Sequence, residues 1–312
     1  MQPPDMRLDA FITVRDWLRH AVSRFNAAGL SYGHGTADAV DEAAFLVLET
    51  LRLPVDQLQP WLDARLTMPE RTALRDVIEA RVSTRKPAPY LTQSAYIQGH
   101  RFFVDERVIV PRSFIGELIC NDGFEGLIAD AGAVTSLLDL CTGGGSLAIL
   151  AALNFPAASI VASDISEVAL AVARRNVADY HLEQRIAVIQ SDLYAGLGSR
   201  RFDLIVSNPP YVTDAAVAAF PPEHRAEPGL AHAGGADGLD IVRRIVTGAR
   251  QHLSPHGILI VEIGQGQAAL EAVFPSLPFA WLQTAETNGE VFAITAAELD
   301  ARPPPAARKS RR

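Results

Sequence analysis

Long apolar runs are missing from the 312 residues: nothing approaches the eighteen or so needed to cross a bilayer. Met1 to Asp16 holds acids and prolines where a secretion signal needs an apolar stretch, so a cytoplasmic location is expected. Cysteine is scarce. Cys120 and Cys141 alone exclude a disulfide framework and a cysteine-based zinc centre, and no metal is expected. There is no internal repeat, and 22 glycines with 20 prolines are close to an average share, which excludes collagen-like and low-complexity chains. Basic charge is in deficit as well, 28 Lys and Arg against 36 Asp and Glu, a formal net charge of -8. Arg302, Arg308, Lys309, Arg311 and Arg312 sit in the final stretch, so residues 1–300 carry 23 bases against 36 acids, a balance of -13. Such a body is repelled by phosphate backbones and attracted to basic partners. The end itself, 299–312, reads as a disordered basic tail rather than a nucleic-acid arm.

With 48% hydrophobic and 21% charged residues, the rest is a folded chain long enough for one large domain or two ordinary ones. Residues 1–92 read as a small helical domain. Val14, Leu18, Ala21, Val22 and Phe25 fall on one helical face that stops at Gly29. A second helix is expected from Asp38 to Leu51, and a third from Pro69 with Leu74, Val77, Ile78 and Val82 inward. Residues 93–112 change to short Tyr-, Phe-, Val- and Ile-rich segments around Gly99, the pattern of a β-hairpin linking two domains.

From 113 to 298 apolar strand-like runs alternate with helical stretches: Thr135 to Leu140, Ser159 to Ala162, Ile186 to Ile189, Leu204 to Ser207 and Ile258 to Ile263. That alternation predicts an α/β domain with an open, mostly parallel sheet covered on both faces. Phe279 to Gln283 and Glu290 to Ile294 are separated only by Thr284 to Gly289, a link so short that it favours an antiparallel pair at the sheet edge.

Cys141-Thr142-Gly143-Gly144-Gly145 directly follows the first of these strands and precedes a helix, so the backbone can turn sharply and approach a ligand. About twenty residues on, Asp164 ends the second strand, where a carboxylate accepts hydrogen bonds from both hydroxyls of a ribose. Asp192, after the third strand, is expected near an adenine amino group. An adenosine-bearing cofactor follows, but the loop alone does not separate a dinucleotide from S-adenosylmethionine, since Ala148 also fits the looser dinucleotide pattern.

The fourth strand separates them. It leads into Asn208-Pro209-Pro210-Tyr211 at its carboxyl end, where open sheets bind ligands. Two successive prolines fix φ and remove two N–H donors, leaving carbonyls that only accept. The Asn208 side chain and the Pro209 carbonyl can then both take protons from one planar NH2 group, and Tyr211 can stack on it and face a developing cation. That suits methyl transfer to a weakly nucleophilic amide or aromatic amino nitrogen, with catalysis mostly by positioning.

Together these residues resemble the class I S-adenosylmethionine-dependent methyltransferases that modify a protein glutamine, the family of the release-factor and ribosomal-protein glutamine methyltransferases. The resemblance spans about residues 10 to 297 and includes Val110-Pro111-Arg112-Ser113, Glu227-Pro228, Gly234-Gly235-Ala236-Asp237-Gly238-Leu239 and Val261-Glu262-Ile263-Gly264. It implies a Rossmann-like, seven-stranded sheet with an antiparallel edge strand behind the helical domain and hairpin. It also implies a cofactor bound by Cys141 to Gly145, Asp164, Asp192 and Asn208, leaving as S-adenosyl-L-homocysteine, and an amide held by Asn208 to Tyr211. Arg112 and Glu117 are further candidates, with an ion pair that anchors the linker as the other reading of Arg112. His34 and Cys141 are read as structural.

Tyr32-Gly33-His34-Gly35-Thr36, Asp41-Glu42-Ala43 and Pro111-Arg112-Ser113 with Ile115-Gly116-Glu117 resemble the branch that acts on large-subunit ribosomal protein L3, free or in an assembly intermediate. The release-factor branch carries Pro-Arg-Pro-x-Thr-Glu at the last of these places, which Ser113 and Gly116 break. Gly144 and Phe114 depart from the family's usual Ser or Thr and Pro. Three other readings stay open: a release-factor methyltransferase, a nucleic-acid amino methyltransferase, and a non-enzymatic ribosome assembly factor. A base-flipping enzyme needs a basic groove, which the -13 body argues against; a basic ribosomal protein would be steered toward it.

Overall fold

The computed structural model describes residues 10–121, 124, 126–128, 130–285 and 287–300, and these fall into two compact units. One comprises residues 10–112 together with 220–228; the other comprises 113–219 and 229–300.

The first unit contains helices α1 (Val14–Ala28), α2 (Ala39–Leu51), α3 (Met68–Thr84) and α4 (Ala88–Thr92), then strands β1 (Ala95–Ile97) and β2 (His100–Phe102). Local chemistry sets the helix ends. Thr13 and Asp16 form a capping box before α1, Asp38 caps α2 by accepting from Val40 and Asp41 N–H groups, and Gly29 ends α1 in the left-handed region at φ 57°. The buried face of α1 is Val14, Trp17, Ala21 and Phe25, whereas Leu18 and Val22, expected inward, lie at its half-buried margin. Trp17 has the most apolar surface to hide and takes the centre, rotating the face towards itself. It meets Ala43, Leu46 and Val47 of α2 and Leu74 and Ile78 of α3 in one cluster.

A charge is buried beside that cluster. Arg81 of α3 has no exposed surface; its Nε donates to Glu42 Oε1 at 2.7 Å and its Nη2 to the Ser31 carbonyl at 3.1 Å. Removing one partner of such a pair strands the other in an apolar interior, at about 3–5 kcal/mol. Gln98 and Gly99, at φ 50° and 76°, turn β1 into β2 as a two-residue hairpin with Ala95 opposite Phe102. The strands are shorter than the span 94–110 suggested, and residues 103–110 continue without regular structure.

Residues 220–228 join this unit through two buried acids. Glu223 Oε1 accepts the Ser31 N–H and meets Arg85 Nε, each at 3.1 Å, and Glu227 accepts the Val110 N–H at 2.8 Å. His34 is fully buried, its ring centroid 4.3 Å from that of His224 and its Nε2 3.6 Å from Glu227 Oε2.

The second unit runs α5 (Phe114–Cys120), β3 (Ser136–Leu140), α6 (Ser146–Asn154), β4 (Ser159–Asp164), α7 (Glu167–Asp179), β5 (Ile186–Gln190) and β6 (Phe202–Ser207). After these come α8 (Asp214–Ala218), α9 (Asp240–His252), β7 (Leu253–Glu262), α10 (Gln267–Val273), β8 (Ala280–Gln283), β9 (Asn288–Thr295) and α11 (Ala296–Asp300). The strands form one seven-stranded sheet ordered β5-β4-β3-β6-β7-β9-β8, parallel except that β9 runs antiparallel to both neighbours. Successive side chains point to opposite faces, and both faces are covered: Leu138, Leu140, Ile205, Leu259 and Val261 join Val242, Ile245 and Val246 of α9 in one core, while Leu137, Leu204 and Ile260 are equally buried on the other side. The sequence starts the tail at 299, but α11 continues through Asp300, which pairs with Arg250 at 2.6 Å while Leu299 packs on the core. The remainder, 301–312, lies outside the described residues.

Chain order reverses at β3 and β6. From β3 the sheet builds outward through β4 and β5, then restarts on the other side with β6 and β7. Such a switch point leaves a crevice at the carboxyl ends of the two central strands.

Candidate active site

The loop after β3 opens into that crevice. Thr142 N–H donates to the Ser163 carbonyl at 3.0 Å, tying the loop to β4, and Gly145 N–H closes the turn on the Thr142 carbonyl at 2.8 Å. Gly145, at φ 82°, serves as the N-cap of α6, and a Cβ there would lie 3.2 Å from the Ala173 Cβ of α7, so only glycine allows this approach. Over Gly143 a Cβ would meet open space. Asn176 Nδ2 donates to the Gly144 carbonyl at 2.8 Å and holds the loop from the α7 side.

Asp164 faces the same loop. Its Oδ2 accepts the Gly143 N–H and its Oδ1 the Ser166 N–H, both at 2.9 Å; burial still leaves its carboxyl above the ordinary range. A second carboxylate, Asp139, is a site residue that sequence reasoning missed. It lies in β3 with no exposed surface, and its Oδ2 accepts from Thr142 Oγ1 at 2.5 Å and from the Ala148 N–H at 3.0 Å. Its Oδ1 is buried without a hydrogen-bond partner, and burial pushes its carboxyl up to about 7. The sequence signal was an acid inside the apolar run Leu137 to Leu140, a position no satisfied core strand requires.

Asp192 lies exposed after β5, its Oδ1 and Oδ2 at 2.9 and 2.8 Å from Arg244 Nη2 of α9. Cys141, at φ 58°, is half-buried, and burial with the nearby Asp164 raises its thiol far above a reactive range. Among the described residues no cluster of His, Cys, Asp or Glu is placed to hold a metal ion.

On the neighbouring strand, Ser207 Oγ donates to the Leu140 carbonyl at 2.9 Å, joining the end of β6 to the end of β3 where the glycine loop starts. Asn208, Pro209, Pro210 and Tyr211 follow, Pro209 buried and the other three half-buried. The turn at 234–239 clasps the backbone here: Val212 N–H donates to the His232 carbonyl at 2.9 Å and Gly234 N–H to the Val212 carbonyl at 2.8 Å. Gly238, at φ 77°, comes so near that a Cβ would lie 2.3 Å from the Tyr211 carbonyl oxygen. Tyr211 Oη donates to Glu262 Oε1 at 3.0 Å at the end of β7. Glu262 is 1% exposed and also accepts from Ser113 Oγ at 2.7 Å and the Phe114 N–H at 2.9 Å; burial pushes its carboxyl up to about 7.

The crevice thus brings together Cys141 to Gly145, Asp164 and Asn208 to Tyr211. Arg112 belongs to the first unit, where its Nη1 and Nη2 grip both oxygens of Glu227 at 2.8 and 2.7 Å. This is the ion pair expected to anchor the linker. Glu117 of α5 accepts the Ala285 N–H at 2.6 Å and so steadies the turn between β8 and β9.

Comparison with known proteins follows the same lines. Residues 127–220 match the family model described as the methyltransferase small domain. A ribosomal protein uL3 glutamine methyltransferase of Burkholderia pseudomallei is 54% identical over 298 residues, 93% of this chain and 97% of that protein. The protein of the same name from Bradyrhizobium diazoefficiens is 53% identical, covering 93% of this chain and 92% of its own. Among solved structures, the Thermus thermophilus 16S rRNA N2 G1207 methyltransferase in complex with AdoMet and guanosine covers 65% of this chain and 49% of its own, at 20% identity and a TM-score of 0.45.

Proposed function

The chain belongs to the ribosomal protein uL3 glutamine methyltransferases, and from that premise we propose that it transfers a methyl group from S-adenosylmethionine to the side-chain amide nitrogen of a glutamine in ribosomal protein L3. The observation that carries this reading is the adjacency of the glycine loop and the Asn208 to Tyr211 motif at the ends of β3 and β6.

The residues fit the cofactor. Open space above Gly143, the carboxylate of Asp164 and the unpartnered buried Oδ1 of Asp139 suit a cationic, adenosine-bearing group. Cys141 to Gly145 would hold it from the backbone, Asp164 would accept from its ribose, and Asp192 would meet its adenine while paired with Arg244. When bound, S-adenosylmethionine would supply an electrophilic sulfonium methyl, with S-adenosyl-L-homocysteine as the leaving group.

The chain's own residues supply orientation. Asn208 Oδ1 and the Pro209 carbonyl take the two amide N–H bonds, turning the nitrogen toward the crevice where the cofactor is held. Tyr211 covers the planar amide and faces the positive charge that grows on it. Methylation acidifies the nitrogen, which then loses a proton to solvent, so no strong base is needed beforehand.

The helical unit recognises the protein substrate, because the motif itself reads a single amide. An acidic body of -13 over residues 1–300 favours a basic ribosomal protein over RNA or DNA. No helix among the described residues is long and apolar enough to cross a membrane; we place the protein in the cytoplasm, where ribosomal proteins are made. The test is to incubate the protein and labelled S-adenosylmethionine with ribosomal proteins, release factors and RNA from cells lacking the gene, then locate the label by peptide mass spectrometry. Label on a glutamine of L3 is expected; label on a release factor would move the chain to the other branch, and label on RNA would overturn the amide reading.

A further inference from the structure

Tyr211 is anchored by a carboxylate that lies 51 positions along the chain. Glu262 ends β7 with 1% of its surface exposed, and both of its oxygens are committed: Oε1 to the Tyr211 hydroxyl, Oε2 to Ser113 Oγ and the Phe114 N–H at the start of α5. We propose that Glu262 is a positioning residue for methyl transfer, holding the Tyr211 hydroxyl so that the ring stays over the substrate amide and is made more electron-rich. This rests on the glutamine-methyltransferase reading of the site.

Three features argue for it. The backbone of Tyr211 is fixed by the 234–239 turn and its ring lies against Gly264, where a Cβ would come within 2.8 Å of Cε2. The hydroxyl is the remaining end of the side chain, and Glu262 holds it. Secondly, a neutral acceptor does not serve. The Phe114 N–H can only donate, so a glutamine at 262 must turn its oxygen toward α5 and present its NH2 to Tyr211, reversing that bond. Only a carboxylate accepts on both sides. Thirdly, above about pH 7, where Glu262 is ionised, a phenol donating to this buried carboxylate draws negative charge into its ring, which deepens the attraction of the ring face for a cation.

A purely structural Glu262 would also pack β7 against α5, so the test must separate the two roles. Wild type, E262Q, Y211F and the double variant are compared for kcat, for KM toward L3 and for S-adenosylmethionine affinity. Each single variant is expected to lower kcat about tenfold with both other constants within about twofold, the loss of one charge-assisted hydrogen bond. The double variant should be no slower than either single one, since each ends the same donation from the Tyr211 hydroxyl to a carboxylate. Unchanged kcat in Y211F or in folded E262Q overturns the proposal, as does a double variant slower by the product of the single losses. If E262Q melts, Y211F carries the test alone, because it removes one hydroxyl and keeps the ring. A wild type inactive on every glutamine substrate would sink the function and the proposal together; an active wild type with unaffected variants sinks only the proposal.

Discussion

The loop after β3 and the motif after β6 leave neighbouring strands, yet one is gripped at its main-chain groups and the other both by a backbone turn and at the side chain of Tyr211. Gly143 to Gly145 are fixed through main-chain N–H and carbonyl groups, with Asp164, Asp139 and Asn176 reaching in from strands and helix to bond them or their neighbours. Asn208 to Tyr211 have two prolines in place of donors, so their order comes from outside: the 234–239 turn around the backbone and Glu262 on the tyrosine hydroxyl. A backbone cradle suits a constant cofactor. A side-chain clamp, by contrast, can be set to one planar amide, and it fails when a remote residue is changed. The two regions should therefore break separately.

The sharpest separation is expected from Gly238→Ala. A Cβ 2.3 Å from the Tyr211 carbonyl oxygen, at φ 77°, must displace the motif's backbone while leaving the cradle alone. Methylation should fall about 100-fold or more, with S-adenosylmethionine affinity by calorimetry within about threefold, since a small misplacement of reacting groups costs that much. Asp164→Ala tests the other region. Loss of a carboxylate that bonds the Gly143 N–H and would bond the ribose should weaken cofactor binding by about 10- to 100-fold, with kcat at saturating cofactor much less affected.

Acidity gives a smaller and graded difference. Burial lifts the Glu262 carboxyl from an ordinary 4.5 to about 7, so between those values the folded protein holds a proton that the unfolded chain has released. Stability from this group is complete below about pH 4.5 and is lost as pH rises toward 7, with a slope of at most about 1.4 kcal/mol per pH unit. Asp139, lifted from 3.8 to about 7, adds a slope of the same sign. Urea midpoints from pH 5 to 8 should decline less steeply in E262Q than in wild type. A parallel decline would show that Glu262 does not titrate in this window. The smallest effect belongs to Arg244→Ala: its pair with Asp192 is about half exposed on both sides, so stability should change by no more than about 1 kcal/mol and cofactor affinity by no more than a few-fold.

Much of this was legible from the chain. The glycines after an apolar strand, Asp164 about twenty residues on and Asn208 to Tyr211 after the fourth strand all stand where the sheet's switch point brings them together. What escaped has a common cause in partners distant along the chain. Arg81 faces inward because Glu42 waits on another helix, and residues 220–228 join the helical unit through Glu223, Glu227 and the His224 ring against His34. Val261-Glu262-Ile263-Gly264 stood out as a segment of the family resemblance, but the role of Glu262 did not, because its partners are at Tyr211 and Ser113. β7 begins at Leu253 rather than Ile258, because Pro255 and Gly257 read as a turn while the sheet absorbs them at a register shift between Phe202 and Leu204.

The division between cradle and clamp is tested most directly by Asn208→Ala, measured for S-adenosylmethionine affinity by calorimetry and for methylation of L3 by mass spectrometry on the same preparation. Affinity within about threefold of wild type, with methylation down by 100-fold or more, is the predicted result. Methylation within a few-fold of wild type in a folded variant that binds the cofactor normally would contradict it.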